Sequence, residues 1–456
     1  MSGLNAIMDN SLSALLAAQT GLATSGHNIA NAHTPGFSRQ DVIFGTRRPE
    51  IMAYGAIGRG VQVMGIRRIQ DEFLLGNLRS QTSRLYSYAA VDTALYDIEG
   101  ILGSVDNDHL GDALNNFFEA WNDLAQPPSN ESLKLNVVAN AKTLVADFQA
   151  IDEALRSLEA DLELRIQGET ENLNRLLREI GELNRQVMAA ETNGQPANDL
   201  RDQRDLKITQ LSELAQISVL ERDDGSKDII LAGRTMVARD RVTQFEGIYR
   251  PDGDGYTFAV VTEGNQQDVE LSPGRLEGLL AARDIHVREV REQLDSVARQ
   301  LIAEVNELHT QGLTSGGRGV MFFTGDSMHT IGINEALLNN ENLVAIGQTG
   351  TAADNDIALA IADLGRSSLY GPDRNSVSES YRSAVTDVAG RSSSYQFMVE
   401  NQLSLVASLS ARMASVSGVS LDEEGANLVR YQNSYNAAAK VIATVQEMYD
   451  TLLNIV

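Results

Sequence analysis

The stretch NIANAHTPGFSRQ (residues 28–40) marks where one long helical pattern ends and a different chain geometry begins. Thr34 precedes a proline, and that position disfavours the helical backbone, so we expect the helix to end near Thr34. Pro35 suits the second position of a β-turn and Gly36 can take a positive φ at the third, which together predict a type II turn. The asparagines that open the stretch are placed to hydrogen-bond the local backbone around this turn.

Before the turn, the chain predicts an amphipathic helix with almost no charge. Apolar and small residues recur at alternating steps of four and three, as in a coiled-coil seam. The seam consists of Leu4, Met8, Ser11, Leu15, Ala18, Leu22, Ser25 and Ile29. Asp9 is the only charged side chain before Arg39, whereas a solvated helix face usually carries both signs of charge. This helix therefore suits contact with protein, either within its own domain or with other subunits.

The C-terminal end of the chain carries a second seam. Steps of three and four predict a long helix through Leu428, Tyr431, Tyr435, Ala438, Ile442, Val445, Tyr449, Leu452 and Val456. Ser420 is the predicted N-cap, and Glu423 occupies the capping-box position. The simplest structure pairs the two terminal helices, antiparallel or side by side. An isolated pair of this kind is marginal in water, so it either packs on the body of the protein or becomes ordered only in an assembly.

Between the ends, the periodicity changes twice. Residues 44–66 are predicted to form a hairpin, and the glycines within it precede a strand instead of opening a helix, which argues against a phosphate-binding loop. From about 68 to 215 the pattern is helical, and residues 216–272 contain short apolar runs separated by turn clusters, as in β-structure. Helices are predicted again from about 276 to 310 and from about 376. Residues 311–365 are predicted as loops with a small β extension.

Composition excludes several functions. The chain has 456 residues, enough for about three domains on a prior of roughly 150 residues each. Its net charge of −25 argues against nucleic acid or an anionic membrane as the main partner. It contains no cysteine, which excludes disulfides and thiolate chemistry. We expect no cofactor and no metal, because no catalytic motif is present and the histidines lack metal-ligand spacing.

Targeting signals and short metal motifs are also absent from the sequence. The N-terminus lacks the basic and apolar regions of a cleaved signal peptide. No stretch reaches the roughly 20 apolar residues of a membrane-spanning helix. DGDG (residues 252–255) does not match the register of a calcium loop, and a hairpin turn is predicted there instead.

The quoted stretch resembles the N-terminal signature of bacterial flagellar rod, hook and hook-associated proteins. The matching residues of this signature turn are Asn28, Ala30, Asn31, Thr34, Pro35, Gly36 and Arg39, and Phe37 replaces the usual tyrosine. Residues 417–456 resemble the C-terminal signature of the same group. GRGVQVMGIRRIQDEFL (58–74), LRDQRD (200–205) and GRLEGLLAARD (274–284) are similar to the hook-associated protein 1 family of the hook–filament junction.

This resemblance implies a mainly α fold: a long coiled-coil-like helical bundle formed by the N- and C-terminal regions, with an inserted small β-rich outer domain. Residues 1–40 and 415–456 would be terminal axial helices of an inner tube. Residues 41–215, 273–312 and 366–414 would form a helical rod domain that includes the hairpin. Residues 216–272 would form the outer domain, with 313–365 as a candidate extension, and this region is short for the family.

The resemblance also implies a structural function and not an enzyme. Subunits would form a ring that joins the hook to the filament through hook-associated protein 3, after export by the flagellar type III apparatus without a cleaved signal peptide. An export chaperone would bind Tyr435, Ile442 and Tyr449 before export. Assembly would use the seam residues Leu4, Met8, Leu15, Leu22, Ile29, Leu428, Tyr435, Ile442, Val445, Tyr449 and Leu452.

Two alternatives remain open at the level of the sequence. The chain could be a hook or distal-rod protein, although its internal stretches and long helical middle argue against that. It could also be a cell-wall glycan hydrolase associated with the axial structure, which would need a pair of carboxylates in a cleft.

Overall fold

The computed structural model describes residues 2–52, 55–103, 109–252, 255–314, 317–349, 351, 354–370 and 374–455. Helices dominate the described chain. They are Ser2–Ala30 (α1), Glu72–Leu102 (α2), His109–Ala125 (α3), Glu131–Ala190 (α4), Asn198–Leu214 (α5), Arg275–Ala281 (α6), Arg288–Gln311 (α7), Glu335–Asn339 (α8), Asp356–Asp363 (α9), Val377–Ser417 (α10) and Leu421–Ile455 (α11). Val456, the last residue of the predicted C-terminal seam, lies outside the described residues.

The strands form small antiparallel sheets between these helices. They are Gln40–Thr46 (β1), Glu50–Met52 (β2), Gly55–Ile57 (β3), Val61–Arg68 (β4), Ile217–Glu221 (β5), Lys227–Leu231 (β6), Arg234–Ala238 (β7), Arg241–Val242 (β8), Phe245–Asp252 (β9), Gly255–Thr262 (β10), Asn265–Asp268 (β11), Leu313–Thr314 (β12), Gly317–Arg318 (β13), Phe323–Thr324 (β14) and Gly332–Ile333 (β15).

The small sheets pair strands that lie close together in the chain. Strand β1 pairs with β4, and β2 with β3, so residues 40–52 and 55–68 form one extended ribbon. Strands β5 to β8 form a meander of four, and β9 to β11 form a second meander of three. The centre of the turn predicted at residues 252–255 lies outside the described residues, but β9 and β10 pair antiparallel on either side of it.

Helix α4 is the longest element and forms the spine of the body. It spans 60 residues, or about 90 Å at 1.5 Å per residue. Asn130 caps its start by accepting a hydrogen bond from the backbone N–H of Ser132 at 3.0 Å. The apolar seam predicted from the sequence is buried along it, at Leu144, Phe148, Ile151, Leu155, Leu158 and Leu162.

One continuous hydrophobic core joins the helices to the strands. Side chains from α4, such as Leu173, pack in the same cluster as Ile229 of β6 and Val260 of β10. Next to them, the ring of Trp121 on α3 meets the ring of Phe322 at 5.6 Å between centroids. The domain boundaries expected from the sequence stay a prediction, because the helical and β parts share this core.

The structure differs from the sequence prediction in two places. Residues 311–365 were expected to hold loops and strands, yet α8 and α9 lie there; both are too short for a helical period to stand out from the sequence. The helix predicted from about 276 to 310 is present, but Ala282–Val287 between α6 and α7 forms a π-helical turn. A π-turn has no signature in apolar spacing, so the sequence did not indicate it.

The seam on α4 can be tested with two leucines of the same helix. Leu155 is fully buried, whereas Leu164 is 66% exposed. We expect Leu155→Ala to lower the free energy of unfolding by about 2–5 kcal/mol, because it leaves a cavity. Leu164→Ala should change it by about 0.5 kcal/mol or less. Urea unfolding followed by circular dichroism measures both, and equal effects would contradict the assigned core.

Candidate functional site: the signature turn and the paired terminal helices

The signature turn has the predicted type II geometry. The backbone N–H of Phe37 donates to the carbonyl of Thr34 at 3.2 Å, with Pro35 and Gly36 between them. Gly36 has a φ of 80°, which favours glycine, and a Cβ there would also lie 3.0 Å from the side chain of Leu206. The residues expected to end the N-terminal helix therefore do form a tight turn.

Helix α1 ends at Ala30, four residues before the predicted end at Thr34. The side-chain amide of Asn31 donates to the carbonyl of His27 at 3.0 Å, and the N–H of Ala32 donates to the carbonyl of Ile29 at 3.3 Å. These bonds close the last turn in place of a further α-helical turn. The hydroxyl of Thr34 then donates to the side-chain oxygen of Asn31 at 3.2 Å. The side chain of Asn31 competes with the backbone for the carbonyl of His27, and this competition explains why α1 ends before Thr34.

Asn28 closes the whole signature stretch into a loop. Its side-chain amide donates to the carbonyl of Gln40 at 2.9 Å, and its side-chain oxygen accepts from the N–H of Gln40 at 3.0 Å. Asn28 is buried, so both halves of this pair are shielded from water. An asparagine satisfies both backbone groups of one residue, which neither aspartate nor leucine can do.

The residues after the turn connect it to the body. The ring of Phe37 meets the ring of His27 edge-on at 5.4 Å, which is the contact made by the residue that replaces the usual tyrosine. The backbone N–H of Ser38 donates to a carboxylate oxygen of Asp202 at 3.0 Å. Because Asp202 belongs to α5, this bond links the turn to the helical body.

Arg39 joins the N-terminal turn to the start of α11. Its Nε donates to Glu424 at 2.8 Å and its Nη1 donates to Glu423 at 2.6 Å. Its backbone N–H donates to the carbonyl of Ser417, at the end of α10. Burial lowers the pKa of Arg39, but the nearby charges and hydrogen bonds of Glu424 and Glu423 outweigh burial and raise it. The side chain of Glu424 is only 2% exposed, so Arg39 is its compensating charge.

The first turn of α11 differs in one respect from the prediction. The hydroxyl of Ser420 accepts from the N–H of Glu423 at 3.4 Å, as an N-cap does. The carboxylate of Glu423, however, binds Arg39 where a capping box was predicted. The cationic partner from the N-terminal turn lies within reach of that carboxylate and attracts it more strongly than a backbone N–H.

Beneath the turn lies a cluster of buried charges around Asp205 of α5. Asp205 contacts Lys227 of β6 at 2.9 Å and Arg68 of β4 at 2.8 Å, and the backbone carbonyl of Asp205 accepts from Arg79 of α2 at 3.2 Å. Burial alone raises the pKa of Asp205, but the charges of Lys227, Arg68 and Arg79 lower it to about 2. Asp205 is therefore ionised at neutral pH.

Asp202 connects this charge cluster to the signature turn. Its carboxylate accepts from Arg68 at 2.8 Å as well as from the N–H of Ser38. Burial raises the pKa of Asp202 in spite of these two donors. Both aspartates come from the LRDQRD stretch, so that motif supplies the anions that hold the ribbon, the turn and α2 together.

Helices α1 and α11 pack antiparallel on each other. The hydroxyl of Tyr449 donates to the side-chain oxygen of Asn5. Further along, the ring of Tyr431 lies over Gly21, where a Cβ would approach to 2.7 Å. The face of α1 that is fully buried consists of small residues, Ser11, Ser13, Ala17, Ala18, Thr24 and Ser25. Close packing on small residues brings the helices together but buries little apolar area for each residue.

The large seam residues are less buried than the small ones. Those that are half-buried are Leu4, Met8, Leu15, Leu22, Ile29, Leu428, Tyr435, Ile442 and Tyr449. Val445 is fully buried, whereas Leu452 is 47% exposed. Leu452 lies one turn beyond Tyr449, which already faces the beginning of α1, so no length of α1 remains to cover it.

The glycine-rich part of the ribbon holds α1 from its other side. The side chain of Asn10 donates to the carbonyl of Gly58 at 3.2 Å, and Arg59 lies 3.6 Å from Asp9. Gly60 has a φ of 85°, and a Cβ there would lie 2.2 Å from the hydroxyl of Ser13. A strand and turn that the sequence only marked as a hairpin therefore form a clamp on the N-terminal helix.

The outer face of the helix pair stays uncovered. Exposed apolar side chains there include Ile7, Leu12, Leu16, Val429, Val441, Met448 and Leu453. Separately from this face, one 18-residue window within the stretch Val377–Leu453, which contains α10 and α11, reaches a mean hydropathy of 1.2, so by length and composition the expectation that no stretch approaches a membrane-spanning helix was wrong. None of that window is buried within the chain. An apolar helix face of this size needs a covering partner.

Sequence reasoning missed the partners of the signature residues. Glu424 and Asp202 carry the contacts that fix the turn, but single acidic residues on charged helices give no periodic signal. The Arg-Asp pair that occurs twice in LRDQRD (200–205) carries the family resemblance, and it also places Asp202, Arg204 and Asp205 on the buried side of α5.

The Arg39 contact can be tested by hydrogen exchange. We expect Arg39→Gln to speed amide exchange in the first two turns of α11 roughly tenfold or more, because Glu424 loses a charged hydrogen-bond partner. Arg412→Gln, at an exposed position of α10, is the matched control and should leave exchange there unchanged. Unchanged protection of residues 421–428 in Arg39→Gln would contradict the assigned link.

The charge cluster predicts a large loss of stability on neutralising Asp205. We expect Asp205→Asn to lower the free energy of unfolding by about 3–5 kcal/mol at pH 7, because it leaves buried cations unpaired. Asp161→Asn breaks an exposed pair with Arg165 and should cost about 0.5 kcal/mol or less. Denaturant unfolding of both variants measures this difference.

The same variant has an expected pH dependence. The native pKa of Asp205, about 2, lies below the value near 3.9 of an unfolded aspartate. Its stabilisation is therefore fully present above about pH 4 and is lost as the pH falls towards about 2. The gap between wild type and Asp205→Asn should shrink over that window, and a gap independent of pH would contradict the role of the ionised carboxylate.

Comparison with known proteins gives a consistent family. A sequence profile described as "Flagellar hook-associated protein FlgK helical domain" matches residues 95–323, half of the chain. A second, "Flagellar basal body rod FlgEFG protein C-terminal", matches residues 411–455. The "Flagellar hook-associated protein 1" of Bacillus subtilis (strain 168) is 26% identical over 489 residues, covering 97% of this chain and 96% of that protein.

Further relatives agree. The protein of the same name from Escherichia coli (strain K12) is 24% identical over 552 residues, covering 99% of this chain and 100% of the relative. The alignment is longer than the 456 residues of this chain, so the relative contains insertions. A solved structure titled "The structure of the flagellar hook junction protein FlgK from Burkholderia pseudomallei" has a TM-score of 0.66 at 15% identity, covering 75% of this chain and 100% of that one.

These findings decide the fold and the family. The likeness to the solved structure confirms the predicted fold class, with long helices at both termini and small antiparallel sheets in the middle. The C-terminal profile is named for rod proteins, so it does not separate a hook-associated protein from a rod protein. The profile that covers residues 95–323 makes that distinction. The chain belongs to the flagellar hook-associated protein FlgK family.

Proposed function

We propose that this chain is a structural subunit of the bacterial flagellum that joins the hook to the filament. The observation that carries this proposal is the uncovered apolar outer face of the terminal helix pair, whose α1 half is nearly uncharged, in a member of the FlgK family. The relatives bear the names of hook-associated proteins, which are structural proteins and not enzymes. A structural role therefore accounts for the available observations without catalysis.

The outer face of α1 supports assembly with further copies. Asp9, its only charged side chain, already faces Arg59 of the same chain, so no unpaired charge opposes burial of that face. Burying an unpaired charge would cost several kcal/mol. We propose that neighbouring subunits cover Ile7, Leu12 and Leu16, that the copies close into a ring, and that the seam residues hold each helix pair in register.

Partners beyond the ring follow from the same proposal. One side of the ring would bind hook protein and the other hook-associated protein 3. The protein would reach this extracellular position through the flagellar type III apparatus, without a cleaved signal peptide. Before export, a chaperone would bind Tyr435, Ile442 and Tyr449 in the helix-in-groove manner. These side chains are half-buried in the helix pair, so chaperone binding would require α1 to be separated from α11.

The junction role is tested by cosedimentation of the purified protein with isolated hooks, followed by electron microscopy. We expect added density only at the distal tips of the hooks. Binding along the hook, or no binding by folded protein, would contradict the proposal and favour a role within the hook or rod.

One substitution tests the terminal seam in cells. We expect Ile442→Asp to abolish filament growth while the body (residues 44–410) keeps its folded circular dichroism signal and thermal transition. The aspartate would place a charge in the half-buried contact between α1 and α11. Leu359→Asp, at an exposed position of α9, is the control and should leave filaments normal. Apolar replacements at Tyr435, Ile442 and Val445 should be tolerated. Normal filaments in Ile442→Asp cells would refute the assembly role of this seam.

A further inference from the structure

The ribbon formed by β1 to β4 differs in charge from the rest of the chain. Residues 40–68 contain five arginines and only two acidic residues, although the chain as a whole has a net charge of −25. A basic segment in so acidic a protein concentrates positive potential in one place. The positions of these arginines show which of them have partners within the chain.

Three of the five arginines are paired inside the chain. Arg68 is buried in the Asp202–Asp205 cluster, Arg59 lies near Asp9, and Arg67 lies 3.6 Å from Asp41. Arg47 and Arg48, between β1 and β2, are exposed, and neither has an ion-pair partner among the residues that the structure describes. In the part of the chain that the structure describes, two adjacent guanidinium groups thus make no ion pair.

An exposed apolar side chain follows these two arginines on the next strand. Ile51 on β2 is 87% exposed, and Ile57, in the facing strand, is also exposed. Glu50 pairs with Ile57 and Ile51 with Ala56 across the two strands, so Ile57 shares a face with Glu50 and Ile51 lies on the opposite face. An exposed isoleucine beside two unpaired arginines combines the apolar anchor and the cationic contact that protein interfaces favour. We name Arg47, Arg48 and Ile51 the ribbon knob.

The ribbon knob is held in a defined position. The backbone N–H of Arg47 donates to the carbonyl of Gly60 at 3.1 Å, and the N–H of Val61 donates to the hydroxyl of Ser13 on α1 at 3.3 Å. The base of the ribbon is fixed by Arg68 in the charge cluster. A knob anchored at both α1 and the body loses little conformational freedom when it binds.

We propose that the ribbon knob binds an acidic surface on a neighbouring copy of this chain. Charge complementarity favours this occupant, because each copy carries a large excess of negative charge outside the ribbon. The knob is also continuous with α1, whose outer face meets neighbouring copies in the proposed ring. This inference rests on the proposed junction function and adds to it a specific contact between subunits. The strongly negative chain would be repelled by nucleic acid or anionic lipid.

Photo-cross-linking identifies the occupant directly. We would place benzoylphenylalanine at position 51 of the full chain, let the protein cap isolated hooks, irradiate, and map the adducts by mass spectrometry. We expect adducts of two copies of this chain, joined from position 51 to peptides rich in aspartate and glutamate. Adducts with hook protein, adducts within one copy, or no adducts despite formed caps would overturn the ribbon contact and leave the junction role intact. An absence of caps with the unmodified protein would overturn the junction role and the ribbon contact with it.

Charge reversal gives an independent readout. We expect Arg47→Glu with Arg48→Glu to lower the apparent affinity for hook tips roughly tenfold or more at low salt, because like charges would then face each other. Arg84→Glu with Arg382→Glu changes the net charge by the same amount at exposed positions on α2 and α10, and should have a smaller effect. Capping by wild-type protein should weaken as salt screens the contact. Equal effects of the two double variants, with both proteins folded, would overturn the proposal.

Discussion

The buried carboxylate of Asp205 is the interaction on which the arrangement of the chain depends. Its cationic partners come from three separate elements: β4 at the base of the ribbon, α2, and β6 of the meander. A buried charge cluster adds little net stability compared with a well-packed apolar core, because desolvation offsets most of the attraction. Its effect is one of geometry, since Asp205 meets all three cations only where these three elements come together.

A series of hydrogen bonds and one ion pair connects that cluster to the two ends of the chain. Asp202 fixes the backbone of Ser38, Asn28 fixes Gln40, and Arg39 fixes the first turn of α11. The terminal helices beyond are held by small-residue packing and by the ribbon clamp, which bury little apolar area. The pair is thus well positioned at its base and weakly stabilised along its length. A subunit that has to pass between unpaired and assembled states benefits from this gradient.

Much of the fold follows from apolar spacing, and much of the site does not. The seam of α4, the strands after Gln216 and the type II turn at Pro35 all have local signals, namely periodicity, β-branched runs and a Pro-Gly pair. The contacts of Arg39 and Asp205 join residues far apart in sequence, so no window of neighbouring residues contains them. Helices α8 and α9, the early end of α1 and the π-turn were missed because each depends on a few hydrogen bonds and not on a repeating pattern. The fold was predictable where the spacing of apolar residues repeats along the chain. The site was not predictable, because each of its contacts joins one particular pair of distant residues.

The pairing of Arg39 with Glu424 joins residues 385 positions apart in the chain. The two ends of the body therefore meet at one fixed point, and everything between them is a closed loop of polypeptide. Sequence can be inserted into or removed from that loop without moving the point where the terminal helices begin. The alignment with the Escherichia coli relative, over 552 residues, is longer than this chain, and any inserted residues that fall inside this loop leave that point unchanged. The ion pair therefore marks the boundary between this loop, whose length can change, and the terminal helices, whose starting point it fixes.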